Sequence, residues 1–305
     1  MRVLIALGGN ALLRRGEAPD AAIQLDHVVH AAPALAAAAR DHELVITHGN
    51  GPQVGLLALE SSDDRSLERP YPLDALVAET QGLIGYWLQQ SIAGAGLDGP
   101  IVSLVSQTIV AADDPAFADP TKFVGATYSR EQADDLADRR GWAVKPDGDR
   151  WRRVVASPAP VGVIEVPIVE TLLAAGTTVI CAGGGGAAVV RSGARFTGVE
   201  AVVDKDHVAA LLALVLHADL LVLLTDVPAV VAGYGTPDAH PLGAVTVDEL
   251  VGQPFAAGSM GPKVEAACRF ARESGKTAVI GALDDLAAVL AGHGGTRVTA
   301  LGSGS

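Results

Sequence analysis

The stretch "VLIALGGNALLRRG", residues 3–16, decides the fold. Val3 to Leu7 form an unbroken apolar run, the pattern of a strand buried on both faces. The run ends abruptly in Gly8, Gly9 and Asn10, and the next apolar segment begins at once. A strand that stops on glycines exposes backbone N–H groups, and those groups need a partner.

The same grammar recurs along the chain. Short β-branched or Leu-rich runs at 2–7, 43–47, 101–106, 161–165, 177–181, 219–225, 277–280 and 296–299 predict strands. Helical stretches at 20–40, 52–60, 73–93, 168–175, 205–217, 262–274 and 283–290 separate them, with Pro33 expected to kink or interrupt the first. Strand, glycine turn and helix in alternation predict an α/β fold around an open, mostly parallel sheet.

With 305 residues, 49% of them hydrophobic, the chain can bury a large core. A formal charge of −13 argues against a nucleic-acid surface, which needs clustered Lys and Arg. Cys181 and Cys268 are far apart in apolar contexts, so neither a disulfide framework nor a metal site is expected. No uncharged apolar run approaches about 18 residues, and no basic, cleavable preamble precedes the first strand, so no membrane partner and a cytoplasmic location are expected.

Residues 1–299 read as one domain and 300–305 as a flexible tail. Residues 113–160 turn polar and loop-rich. They contain a charged helix opened by Ser129 with Gln132 as its capping-box partner, then a hairpin turning at Pro146-Asp147-Gly148. This insert is expected to project as a lid-like subdomain.

Glycine gathers at four strand or helix ends: Gly8-Gly9-Asn10, "THGNGPQVG" at 47–55, "CAGGGGAAV" at 181–189 and "AAGSMGPKVEAA" at 256–267. In open parallel sheets ligands bind where such turns collect. Gly183, Gly185, Ala188 and Asp204 mimic a dinucleotide fingerprint, but the following "AVVRSGARFTGVE" is not a helix start, and the fingerprint requires one. No Walker A loop is present either: Gly275-Lys276-Thr277 lacks the leading glycine, because position 270 is Phe. Three lysines stand in unusual company: Lys122 in "PTKFVG", Lys205 in "DKD", and Lys263 after "GSMGP". Glycine turns with lysines can stabilise a transferring phosphoryl group without a Walker loop.

Other candidates read as structural. His27 and His30 share one helix face without a third metal ligand. Ser259 is not in a nucleophile elbow, and His48 either touches substrate or makes a structural hydrogen bond. Glu79 and Gln81 lie on a helix whose apolar residues predict core or dimer packing.

In order, "ALGGNALL", "THGNGPQVGLLALE", "DPTKFVG", "VKPDG" with "RRVV", "CAGGGG", "GVEAVVDKD", "LLTDV" and "FAAGSMGPKVEAACRF" resemble the carbamate kinases of the amino acid kinase superfamily, from residue 2 to about 299. The resemblance implies a three-layer α/β/α sandwich around a mainly parallel sheet of about eight strands, and a homodimer. It implies reversible transfer between carbamoyl phosphate with MgADP and carbamate with MgATP, the Mg2+ held mainly by the nucleotide phosphates. Gly8, Gly9 and Asn10 would hold the phosphoryl group, with Lys205 and Lys263 neutralising it and Asp206 orienting both lysines. Gly49, Asn50 and Gly51 would form the carbamate end, Lys122 would reach in from the lid, and Asp226, Tyr234, Met260 and Val264 would line the nucleotide pocket. The chain departs from the family in having Ala187 and Ala188 where a proline is usual, and Gly233 and Thr236 where asparagine and lysine are usual. Within the superfamily, the alternatives are a kinase for a larger acid such as acetylglutamate or for a nucleoside monophosphate; outside it, a catalytically silent nucleotide sensor.

Overall fold

The structure, a computed structural model, describes residues 1–9, 12–14, 16–255 and 260–300. Asn10 and the Gly258-Ser259 part of the fourth glycine segment lie outside the described residues.

In chain order the first strands are β1 (Arg2–Leu7), β2 (Glu43–His48), β3 (Ile101–Ser103), β4 (Gln107–Val110), β5 (Lys122–Tyr128), β6 (Ala143–Asp147), β7 (Arg150–Val155) and β8 (Pro160–Val163). There follow β9 (Thr178–Ile180), β10 (Ala187–Ser192), β11 (Arg195–Gly198), β12 (Leu220–Thr225), β13 (Val231–Ala232), β14 (His240–Pro241), β15 (Ala244–Thr246), β16 (Thr277–Ala282) and β17 (Thr296–Thr299). The helices are α1 (Ala21–Asp41), α2 (Gly51–Asp63), α3 (Leu73–Gly94), α4 (Arg130–Arg140), α5 (Val166–Ala174), α6 (Lys205–Val215), α7 (Val247–Leu250), α8 (Met260–Ser274) and α9 (Leu286–Leu290).

Eight strands form one sheet in the order β15-β17-β16-β12-β1-β2-β9-β3, parallel throughout except between β16 and β17. β1 lies inside it and shows why its sequence is uniformly apolar. Leu4 and Ala6 face a core shared with α5, α6, α7 and α8, while Val3, Ile5 and Leu7 face one shared with α1, α3 and α9. Helices on both faces make this a three-layer α/β/α fold. Among the described residues, no helix is long and apolar enough to cross a membrane.

Beside it the described residues form three smaller sheets: one ordered β11-β10-β4-β8, an antiparallel β5-β7-β6 and the two-stranded β13-β14. The β10–β11 hairpin is the physical reason the dinucleotide fingerprint fails: the backbone after the glycines extends into a strand instead of opening a helix. The β5-β7-β6 sheet carries α4, whose capping box between Ser129 and Gln132 forms as the sequence predicts. Arg130 stacks on Trp151, and Trp142 lies between Arg140 and Arg153. Val124 and Val155 of this sheet pack with Val54 and Ala58 of α2 and Leu76 of α3.

Two expectations need correction. The strand predicted over 101–106 ends at Ser103, because the buried Gln81 side chain takes both backbone groups of Ser106: Ser106 N–H donates to Gln81 Oε1 at 2.9 Å, and Gln81 Nε2 donates to the Ser106 carbonyl at 3.1 Å. The chain resumes as β4 in the second sheet. Pro33 does not interrupt α1, which runs on to Asp41. Pro33 is exposed and cannot donate to the Val29 carbonyl, but Val29 is also exposed, so water can serve that oxygen.

Candidate active site

β1 lies between β12 and β2, and the chain leaves β1 and β12 toward opposite edges of the sheet. Ligands in open α/β sheets bind in the crevice beyond the carboxyl ends of strands at such a switch point. Gly8 and Gly9 sit there. The Gly8 backbone packs so closely on β12 that a Cβ would stand 2.8 Å from the Leu224 carbonyl oxygen. Gly49, which follows β2, approaches Gly9 so tightly that a Cβ would lie 2.9 Å from the Gly9 nitrogen. Two glycine turns therefore meet backbone to backbone, a contact that side chains would prevent.

Helix α2 begins at Gly51, directly after these turns. Its N-cap residue, Asn50, makes no side-chain cap and instead donates from Nδ2 to Thr80 Oγ1 at 2.9 Å. Pro52 brings no N–H, so the N–H groups of Gly51 and Gln53 have no partner within the helix and sit at its positive end.

The charged groups collect on the first turn of α6. Asp204 is its N-cap, accepting from the Asp206 N–H at 2.9 Å. Asp206 accepts from Lys205 Nζ at 2.6 Å and from Lys263 Nζ, on α8, at 3.2 Å. The three side chains are only 5%, 12% and 11% exposed, respectively. Lys122, at the start of β5, forms an ion pair with the other carboxylate, Asp204. Three ammonium groups from three separate elements thus share two carboxylates.

Burial lowers the Lys205 pKa below its ordinary value and Lys263 adds to this, while Asp206 opposes it. Burial alone would raise the Asp206 carboxyl, but Lys205 and Lys263 outweigh it and hold the group below the usual carboxylate range. Asp204 is likewise held well below that range, chiefly because Lys122 overcomes the effect of burial. Both carboxylates are ionised near neutrality, and the cluster retains the positive excess that an anionic ligand requires.

The four-glycine turn after β9 forms a wall behind the Gly49-Asn50 turn. Ala182 has φ of 51°, an uncommon conformation for alanine, held at both ends. Thr47 Oγ1 donates to its carbonyl at 2.8 Å, and its N–H donates to Ser106 Oγ at 2.9 Å. Thr108 Oγ1 donates to the Gly185 carbonyl at 2.7 Å. Gly184, at φ of 64°, lies against Asn50; a Cβ there would be 2.1 Å from Asn50 Nδ2. His48 resolves as structural: its buried ring lies over Gly183 and donates from Nδ1 to the Gly49 carbonyl at 3.0 Å.

The structure brings Gly8, Gly9, Gly49, Asn50 and Gly51 to one end of the sheet and joins Lys122, Lys205, Asp206 and Lys263 through carboxylates. It places the four nucleotide candidates less uniformly. Asp226 follows β12 and accepts from Thr225 Oγ1 at 3.0 Å. Met260 opens α8, and Val264, one turn on, also borders a cleft of about 390 Å³ between α8 and residues 250–255. Tyr234 lies between β13 and β14 and is 87% exposed, touching none of the cluster.

The sequence reading noted Asp204 only as a flank of Lys205 and in a rejected fingerprint, and Gln81 only on a packing helix, and it missed the buried supports Thr47, Thr80, Ser106 and Thr108, which carried no local signal. His27 pairs with Glu17 and His30 with Asp284, so the two histidines serve different partners. Cys181 is buried and its thiol is pushed up to about 12 by that burial, a structural cysteine rather than a nucleophile.

The model of the Amino acid kinase family matches residues 1–282. The chain is 47% identical to the carbamate kinase of Rhizobium meliloti (strain 1021) over 98% of this chain and 93% of that protein. It is 48% identical to the carbamate kinase of Escherichia coli (strain K12) over 97% and 99%. Carbamate kinase from Giardia lamblia bound to AMP-PNP superposes with a TM-score of 0.89 at 37% identity, covering 97% of this chain and 98% of that one. With the family model spanning residues 1–282 and these relatives matched over nearly their whole length, the chain belongs to the amino acid kinase family.

Proposed function

We infer that the protein is a carbamate kinase, a phosphotransferase that interconverts carbamoyl phosphate with MgADP and carbamate with MgATP. The observation that carries this reading is the convergence of Lys122, Lys205 and Lys263 on Asp204 and Asp206. Full-length similarity to carbamate kinases supports the choice of acceptor.

In the ATP-forming direction, a β-phosphate oxygen of ADP attacks phosphorus, the bond from phosphorus to the carbamate oxygen breaks, and carbamate leaves as the anion. Charge builds on the phosphoryl oxygens, and preorganised cations and N–H groups stabilise it. Backbone N–H groups of Gly8 and Gly9 face the phosphoryl group, Lys205 and Lys263 neutralise it from the nucleotide side, and Asp206 fixes both lysines. Gly49, Asn50 and Gly51 form the carbamate end. There the Asn50 amide is committed to Thr80, so the N–H groups at the start of α2 are the donors. Lys122 acts from the β5-β7-β6 sheet, which serves as the lid. Asp226, Tyr234, Met260 and Val264 receive the nucleotide, Tyr234 only after its turn moves inward. Mg2+ enters with the nucleotide as part of the substrate.

A homodimer follows from the same reading. β3 is an edge strand of the main sheet, and Leu83 and Tyr86 of the α3 segment crossing it are exposed, as is Val105 just beyond it. An open edge flanked by apolar side chains is a surface for pairing. Two free, buried cysteines suit a reducing, cytoplasmic compartment.

The test is ATP formation from MgADP with carbamoyl phosphate, acetylglutamyl phosphate or a nucleoside diphosphate as donor. Activity with carbamoyl phosphate alone supports the reading. Activity with another donor assigns another member of the family, and ADP binding without any transfer assigns a sensor.

A further inference from the structure

Asp204 occupies a singular position. Its Oδ1 accepts the Asp206 N–H at 2.9 Å and caps α6, while its Oδ2 takes the ammonium of Lys122, 82 residues earlier on a different sheet. The carboxylate is mostly buried, whereas Lys122 is about one-third exposed. The fixed partner is therefore the aspartate, and the lysine is the group being held. Lys205 and Lys263 donate their direct hydrogen bonds to Asp206, and Asp204 acts on Lys205 only as a nearby charge.

We propose that Asp204 is a positioning residue that ties Lys122 of the β5-β7-β6 sheet to the first turn of α6 and so registers it against the phosphoryl group. The proposal rests on the phosphoryl-transfer reading above. It divides the work of the cluster: Asp206 places two lysines from the core, and Asp204 places the third across the joint between the two sheets. A lysine on an independent sheet would otherwise sample many orientations, and misplacement of about 1 Å costs on the order of a hundredfold in rate.

The decisive variant is Asp204→Asn. Asparagine is as good an N-cap as aspartate, so its amide oxygen keeps the cap of α6, but the uncharged NH2 then faces Lys122, a donor that cannot accept from the ammonium. ATP formation from carbamoyl phosphate and MgADP is measured for wild type, Asp204→Asn, Lys122→Ala and the double variant. Asp204→Ser, also capping-competent, repeats the comparison if the asparagine variant folds poorly. The expected result is a fall of about tenfold to a hundredfold in kcat for Asp204→Asn, little change in KM for MgADP, and a double variant no worse than Lys122→Ala alone. Wild-type activity in Asp204→Asn, or penalties that multiply in the double variant, would overturn the proposal, as would a rise in kcat, which would mean that the pair sequesters Lys122. A wild-type enzyme inactive with carbamoyl phosphate would instead overturn the functional reading on which it rests.

Discussion

Protonation of His48 couples the glycine turn after β2 to global stability. The imidazole is 1% exposed, and burial depresses its pKa from 6.5 to about 4; the bond to the Gly49 carbonyl opposes this shift and the Lys205 charge adds to it. Between these values the unfolded chain binds a proton at His48 that the folded chain does not. The contribution to stability is therefore complete above about pH 6.5 and is lost as the pH falls through about 4. A separation of about 2.5 units, at about 1.36 kcal/mol per unit, makes that loss about 3 kcal/mol. Urea denaturation from about pH 7 to about pH 4, at fixed protein concentration, would compare wild type with His48→Asn, whose amide can still donate to Gly49 but does not titrate. Wild type should lose about 3 kcal/mol more than the variant over this range. Parallel pH profiles, within about 0.5 kcal/mol, would refute the reasoning, because a ring that did not have to stay neutral in the fold could not couple in this way.

Asp206→Asn removes the carboxylate that the buried ammonium groups of Lys205 and Lys263 share. Stability should fall by about 3–5 kcal/mol and kcat by at least about a hundredfold, measured by denaturant melts and initial rates. Gly184→Ala forces a Cβ to 2.1 Å from the Asn50 amide at a positive φ. The expected outcome is a loss of about 1–3 kcal/mol and a raised KM for carbamoyl phosphate, with KM for MgADP nearly unchanged. Gln81→Leu leaves the Ser106 N–H buried and unpaired, while the Ser106 carbonyl keeps the Ala187 N–H at 2.9 Å. It should cost about 1–3 kcal/mol in thermal or chemical denaturation although Gln81 touches no proposed ligand position.

The parts of the fold that were legible are those where a local pattern has one solution. Val3 to Leu7 must be covered on both faces because no polar alternation offers a wet side, and the glycines after it mark a close backbone approach. Ser129 and Gln132 announce α4 from four consecutive residues. The break after Ser103 was hidden because its cause, Gln81, lies on another element, and the helix-compatible Pro33 was misread because exposure of Val29 depends on how α1 packs. Within the site, residue types were visible but their pairing was not. Lys205 and Asp206 are neighbours in sequence, yet Lys263 joins them from 57 residues away, and Lys122 reaches Asp204 across 82. Only the topology, with α6 and α8 on one face of the sheet, brings those charges together.

The central claim is that the lysines anchored by Asp206 stabilise the transferring phosphoryl group rather than the fold. The most direct measurement is kcat for ATP formation from carbamoyl phosphate and MgADP by Lys205→Ala, beside ADP affinity by calorimetry and a denaturant melt on the same sample. The account predicts a folded protein that still binds ADP, with kcat reduced by at least about a hundredfold. A folded variant that keeps kcat within about threefold of wild type would contradict it.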